Sequence, residues 1–212
     1  MSVARYSFEV TNVTNKGGTT MLSSFGMRVF LLKGGNKLAQ LVYPDYHHEA
    51  MIKAYLQETY DFGEDYINGD GGLQFYDDYR TWLKKEKQNH LGINLDPGYV
   101  PGTTYFYLEN DQIVGTINLR HCLNDSLNKI GGHIGYSILP SKRQLGYATS
   151  MLQEVIKIAK RWEIYPLLLT CKQENIASRK TIEKCGGKFE NKYYDKETKE
   201  TYLRFWIGEK DD

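Results

Sequence analysis

Residues 137–148, SILPSKRQLGYA, constrain the fold of this chain more than any other stretch: a short apolar strand runs into Pro140, a basic turn follows, and a helix begins. Pro140 has no N–H to give to a strand ladder, so the strand ends there. Beyond Gly146, the apolar residues Ala148, Met151, Leu152, Val155, Ile156, Ala159 and Trp162 recur at three- and four-residue steps, the helix period. Gly146 lets backbone come close to a ligand, and Ala148 keeps the first helical turn slim. The unpaired N–H groups and the positive dipole end of that helix then face the turn. An anion, a polyphosphate above all, is stabilised there.

The sequence lacks the other common glycine loops. It has no G-x-x-x-x-G-K-[ST] and no G-x-G-x-x-G after a strand. Gly135-Tyr136-Ser137-Ile138-Leu139 begins like a nucleophile elbow without its second glycine, which speaks against a serine hydrolase. His48-Glu49 lacks the second histidine of a zinc helix, and Cys122, Cys171 and Cys185 form no C-x-x-C pair, so no metal is expected.

The run Arg143-Gln144-Leu145-Gly146-Tyr147-Ala148 resembles the Q/R-x-x-G-x-G/A signature of the GNAT superfamily of N-acetyltransferases. The resemblance implies that these six residues bind the pyrophosphate of acetyl-CoA, the co-substrate, through loop amides, with Arg143 adding its charge. Further on, Asn175-Ile176-Ala177-Ser178 resembles the family's second cofactor motif, N-x-x-A/S, at Asn175 and Ser178. That motif commonly continues with a tyrosine four residues later and a Gly-Phe after the helix. Here those positions hold Ile182 and Gly186-Gly187, so the tyrosine that often protonates the departing CoA thiolate is missing. The likeness covers roughly residues 38–207.

Composition bounds the remaining classes. With 212 residues, 41% of them hydrophobic, the chain suffices for one sizeable core. A formal net charge of +1 gives no case for nucleic acid, whose phosphates call for dense positive charge. Three irregularly spaced cysteines suit a reducing cytoplasm better than a disulfide scaffold, and no run is long and apolar enough for a membrane span. A cytoplasmic protein is expected, with a homodimer among its possible states. Residues 1–35 are weakly patterned and read as an N-terminal extension of uncertain order, ahead of an acetyltransferase domain at 36–212.

Along that domain, residues 37–43 read as a first strand and 49–59 as a helix carried by Met51, Ile52, Tyr55 and Leu56. Residues 105–108 and 112–119 form a hairpin, 129–139 a further strand, and 165–171 a buried strand returning after the crossover helix. A second hairpin closes the chain at 188–194 and 201–207. The expected architecture is mixed α/β: a mostly antiparallel, splayed sheet with a central parallel strand pair and flanking helices, the acyl-CoA N-acyltransferase fold. Residues 60–83 interleave acids such as Glu64 and Asp70 with aromatics such as Tyr66 and Phe75. They suit either a wall for a cationic amine or surface helices with aromatics packed inward, and the packing reading is favoured.

An amine must lose a proton before it attacks a thioester, since its pKa lies near ~10. His133, on the strand entering the loop, is one candidate base; a core histidine bonded to a neighbouring strand is the equal alternative. His121 is the second candidate, and Arg120 a holder of a substrate carboxylate, against a reading of both as ordinary loop residues. His47, His48 and His90 carry no assigned role. By the resemblance, the backbone of Tyr136, Ser137 and Ile138 pairs with the pantetheine arm, and the Ile138 amide stabilises the oxyanion. The thiolate's proton would come from Tyr193, Tyr194, Cys185 or water. The acceptor is expected to be a small amine, amino acid or peptide, and a CoA-binding protein with lost catalysis is the alternative reading.

Overall fold

The structure is a computed structural model that describes residues 39–209; the proposed extension at 1–35 lies outside the described residues. Seven strands and five helices make up these residues: β1 (Ala39–Val42), α1 (Glu49–Asp61), α2 (Tyr79–Leu91), β2 (Gly102–Glu109), β3 (Gln112–Arg120), α3 (Asp125–Lys129), β4 (Ile134–Ile138), α4 (Tyr147–Arg161), β5 (Leu167–Lys172), α5 (Ile176–Lys184), β6 (Gly187–Asp195) and β7 (Glu200–Ile207). Two antiparallel sheets result, in the orders β1-β2-β3-β4 and β5-β7-β6.

Strand alternation sorts the first sheet's side chains onto two cores. Tyr105, Tyr107, Ile117, Leu119, Ile134 and Ile138 face α4, whose Met151, Leu152, Val155 and Ala159 are buried against them. Phe106, Leu108, Ile113 and Leu139 belong to the opposite core, with Ile52 and Tyr55 of α1 and Tyr79, Trp82 and Leu83 of α2. The predicted helices at 60–83 prove to be one helix, α2, preceded by a long irregular segment containing only a short 3-10 turn at Leu73–Phe75. Gly63, Gly69, Gly71 and Gly72 all take positive φ, which breaks any helix there. Likewise the strand expected at 129–139 starts only at Ile134, because Asn124 caps the short α3 through the Leu127 N–H.

The expected central strand pair is formed by β4 and β5, which share no ladder among the described residues. They touch through one isolated bridge of antiparallel sense, Gly132 to Leu169. His133 N–H donates to Leu168 O at 2.7 Å, and Leu168 N–H donates to His133 Nδ1 at 2.9 Å. A Cβ on Gly132 would lie 2.3 Å from Leu168 O, so only glycine permits the approach. Beyond that bridge no ladder joins β4 to β5 among the described residues, so their facing edges are left unpaired. A wedge opens between them.

One buried acid makes the fold sensitive to pH. Glu86 of α2 is held between Thr104 and Asn89, and burial pushes its carboxyl up to about 7. Its pKa is raised on folding, so the native state holds a proton that the unfolded chain releases above about 4.5. Stability from this group is therefore present below that value and lost as pH climbs through 7. Replacing Glu86→Gln should leave stability nearly unchanged at pH 5 and raise it at pH 8, by up to ~3 kcal/mol. Urea midpoints of both proteins at the two pH values measure this, and an equal offset at both would contradict it.

Candidate active site at the strand wedge

The register of β3 and β4 decides which backbone groups face the wedge. Leu139 N–H donates to Val114 O and Arg120 N–H donates to His133 O, at 2.9 and 2.8 Å. Odd-numbered residues of β4 therefore spend their backbone groups on β3. By antiparallel alternation, the N–H groups of Ile134, Tyr136 and Ile138 point the other way, into the wedge. Of the three residues expected to line a cofactor arm, Tyr136 and Ile138 offer backbone there, whereas Ser137 does not. The Ser137 hydroxyl instead donates to Asn68 O at 2.8 Å and accepts from Asn68 N–H at 2.9 Å on the opposite face.

At the end of β4, the basic turn is held by three carboxylates. Ser141 N–H donates to Glu58 Oε1 at 2.9 Å. Arg143 donates Nη1–H and Nη2–H to the two oxygens of Glu64 at 2.6 and 2.7 Å, donates Nε–H to Ile138 O at 3.0 Å, and lies over the Phe62 ring. Glu109, buried at the end of β2, accepts from Tyr147 Oη–H and lies 3.5 Å from Lys142 Nζ. The basic side chains on the turn are thus paired within the protein, and its hold on an anion falls to the backbone. Gln144 and Gly146 take positive φ, and among the described residues no hydrogen bond uses the N–H of Gln144, Leu145 or Gly146. Gly146 stands at the N-cap of α4, with nothing within 4 Å of where its Cβ would be. These open amides, with the first turn at Tyr147 and Ala148, fit a pyrophosphate.

His133 and His121 each have a ring nitrogen engaged within the fold. Because His133 Nδ1 accepts the Leu168 N–H, the neutral ring carries its proton on Nε2 and has no free lone pair. Burial pulls its pKa down to about 4. His121 points to the face opposite Arg120; its Nε2 bonds Thr103 Oγ1 at 2.8 Å, which in turn bonds His90 Nδ1 at 2.8 Å, and its ring meets Trp162 edge-on. Burial, with His90 beside it, also lowers it to about 4. This chain pins the end of α2 to the sheet.

Arg120 does face the other side of the sheet, where Gly69 packs on the backbone of Gly135 and Tyr136. Its Nη1 donates to Gly131 O and Gly132 O at 3.3 and 3.0 Å, and it has no carboxylate partner among the described residues. Tyr66 lies close enough to bear on its charge, and Tyr66 and Phe75 form an exposed aromatic pair beside it. In the 60–83 segment the acids serve structure: Glu64 binds Arg143, and Asp70 caps Gly72 and Gln74 N–H groups.

Across the wedge, Asn175 caps α5 by accepting the Ser178 N–H at 2.9 Å. The Ser178 hydroxyl shares a 2.9 Å hydrogen bond with the phenol of Tyr136, a pairing that neither residue's motif announced. One turn on, Ile182 is fully buried, and its Cγ2 lies 2.5 Å from where a Cβ on Gly187 would be. Cys185 points its thiol at Thr149 O, 3.7 Å away, and burial lifts it to about 11. Tyr193 and Tyr194 stand on β6, the outer strand of the second sheet, two strands away from β5. Among the described residues no group of three or more His, Cys, Asp or Glu is placed to hold a metal ion, and no helix is long and apolar enough to cross a membrane.

Solved structures share this fold. The acetyltransferase that modifies the N-terminal serine of 50S ribosomal subunit protein L7/L12 from Salmonella typhimurium is 14% identical with a TM-score of 0.59, over 81% of this chain and 95% of that one. Ribosomal-protein-S5-alanine acetyltransferase from Vibrio fischeri is 14% identical with a TM-score of 0.61, over 82% and 94%. The microcin C7 self-immunity acetyltransferase MccE, solved with acetyl-CoA and AMP, is 14% identical with a TM-score of 0.58, over 79% and 91%. No curated protein sequence matches the chain at a significant level. The family profile described as the acetyltransferase (GNAT) domain matches residues 43–188, well over half of the chain. With its fold and its sequence in agreement, the chain belongs to the GNAT family of acetyltransferases.

Proposed function

We propose that the protein transfers the acetyl group of acetyl-CoA to a primary amine by direct attack in a ternary complex, the acceptor being a small amine, an amino acid or a peptide. The observation that carries this reading is the set of open amides at Gln144, Leu145 and Gly146, held at the mouth of the β4/β5 wedge. In this reading the loop takes the pyrophosphate, and the backbone of Tyr136 and Ile138 takes the pantetheine arm as an added strand would. The Ile138 N–H, aimed into the wedge, stabilises the oxyanion as the amine adds. Arg120, beside Gly135 with Tyr66 and Phe75 at the rim, suits an acceptor that carries a carboxylate or carbonyl near its amine. A peptide terminus has that character, and two of the similar folds belong to ribosomal-protein acetyltransferases.

Acetyl-CoA at a hundredfold over its dissociation constant should stabilise the protein by about 2.7 kcal/mol, read as a thermal shift. Acetyl-CoA consumption should then appear with at least one member of a panel of amines and peptides. Binding without turnover on any of them would favour the CoA-binding alternative, and no shift would remove both readings.

If His133 joins the strands, as its contacts suggest, His133→Gln should lower thermal stability and leave the pH dependence of kcat/KM in place. Loss of a titration limb near ~6.5 would restore it as the base. Its pKa falls on folding, so its share of stability is present above about 6.5 and lost as pH drops towards 4. The substitution should flatten that acid limb.

Neutralising Glu64 tests how the turn binds. If Arg143 serves as an anchor, both Glu64→Gln and Arg143→Gln should weaken CoA binding, by roughly two- to fivefold for a partly exposed pair. Tighter binding in Glu64→Gln would mean instead that the freed guanidinium acts on phosphate.

A further inference from the structure

Breaking a thioester leaves the electron pair of the C–S bond on sulfur, and a thiol pKa near ~8.5 means that the departing thiolate takes up a proton around neutral pH. Cys185, Tyr193 and Tyr194, considered above as donors, are turned toward α4 or carried on the outer strand β6. One phenol does lie on the α5 side of β4. Tyr136 projects from β4 on the same face as Ile134 and Ile138, toward α4 and α5, and its hydroxyl reaches the first turn of α5 at Ser178 Oγ. Ser178 and Ile182 are four residues apart, so they share one face of α5. The phenol thus stands one helical turn from Ile182, in the space between the two elements.

We propose that Tyr136 is the proton donor to the sulfur of CoA, a catalytic role filled from β4 in a chain whose α5 offers only Ile182. The proposal rests on the reading that acetyl-CoA enters the wedge. The residue whose backbone N–H faces the arm carries, on the same Cα, the phenol that reaches across to α5, so one residue serves both purposes. In the step, the amine nitrogen forms a bond to the carbonyl carbon and releases a proton to solvent. The C–S bond breaks with its electrons on sulfur, and the Tyr136 O–H proton moves to that sulfur, giving the free thiol. The phenolate regains a proton from water by way of the Ser178 hydroxyl. Burial holds the phenol at about 12, so Tyr136 is fully protonated at neutral pH and available for each turnover. Ser178 holds the phenol at the first turn of α5 through its hydroxyl and its carbonyl oxygen, and is a positioning residue.

The test uses the full chain with CoA itself, and therefore needs no identified acceptor. The ultraviolet absorbance of the bound CoA thiolate is titrated in the wild type and in Tyr136→Phe, with affinity followed by thermal shift. A phenol donating to sulfur favours the thiolate, so the bound thiol should titrate lower in the wild type than in Tyr136→Phe by about one unit, with similar CoA affinity at low pH. With an acceptor in hand, kcat should fall by about a hundredfold and KM little. Identical titrations in the two proteins would overturn the assignment and leave the acetyltransferase reading standing; absence of CoA binding by the wild type would remove that reading and the assignment with it. Should Tyr136→Phe fail to fold, fluorotyrosine at position 136 replaces it. The thiol titration must then move with the acidity of the phenol, and a titration that stays fixed overturns the proposal.

Discussion

Three carboxylates from distant parts of the chain hold the turn on which the site depends. Glu58 lies in the last turn of α1, Glu64 in the irregular segment after it, and Glu109 ends β2, yet all three converge on residues 141–147. A glycine-bearing turn with left-handed residues at Gln144 and Gly146 would sample many conformations on its own. Its fixed shape comes from ion pairing to the scaffold, which leaves the amides as the groups presented outward. Charge here acts on geometry first: the guanidinium that an anion would attract is occupied by Glu64, and the amides of Gln144, Leu145 and Gly146 stay open.

The wedge depends on a second substitution of roles. Between two strands of a continuous sheet, backbone amides would pair along the whole length. Here the imidazole of His133 takes the Leu168 N–H that a carbonyl of β4 would otherwise take, and Gly132 allows the closest approach of the two chains. Joined at this one place, the strands form no ladder beyond it, and the N–H groups of Tyr136 and Ile138 point away from β3 without a strand partner. Buried donors of that kind are costly when unmet, which is a physical reason for such an edge to accept an extended ligand.

The local periodicities were readable because they are local. The 3.6-residue spacing in α4, the stop at Pro140 and the hairpins each depend on residues close in sequence, and the family signature adds the cofactor loop. What was not readable depends on distance. Arg143 and Glu64 are 79 residues apart, so Glu64 passed for one more acid in an acidic stretch. His133 presented two equal readings until the position of Leu168, 35 residues away, supplied a partner for its Nδ1. Tyr136 was counted for its backbone alone, since nothing in its neighbourhood points to Ser178, 42 residues on. The start of the strand expected at 129–139 was misplaced for the opposite reason: a side-chain cap from Asn124 turns the chain up to Lys129 into a short helix.

Ile182 and Gly187 fill each other's space, and this bears on how the chain can change. Any side chain at 187 would collide with Ile182 Cγ2 and with its carbonyl oxygen. Position 187 cannot gain a side chain without a shift at Ile182 or at the start of β6. The absence of a side chain at 187 is thus what lets the start of β6 close over the last turn of α5, with Ile182 sealed beneath it.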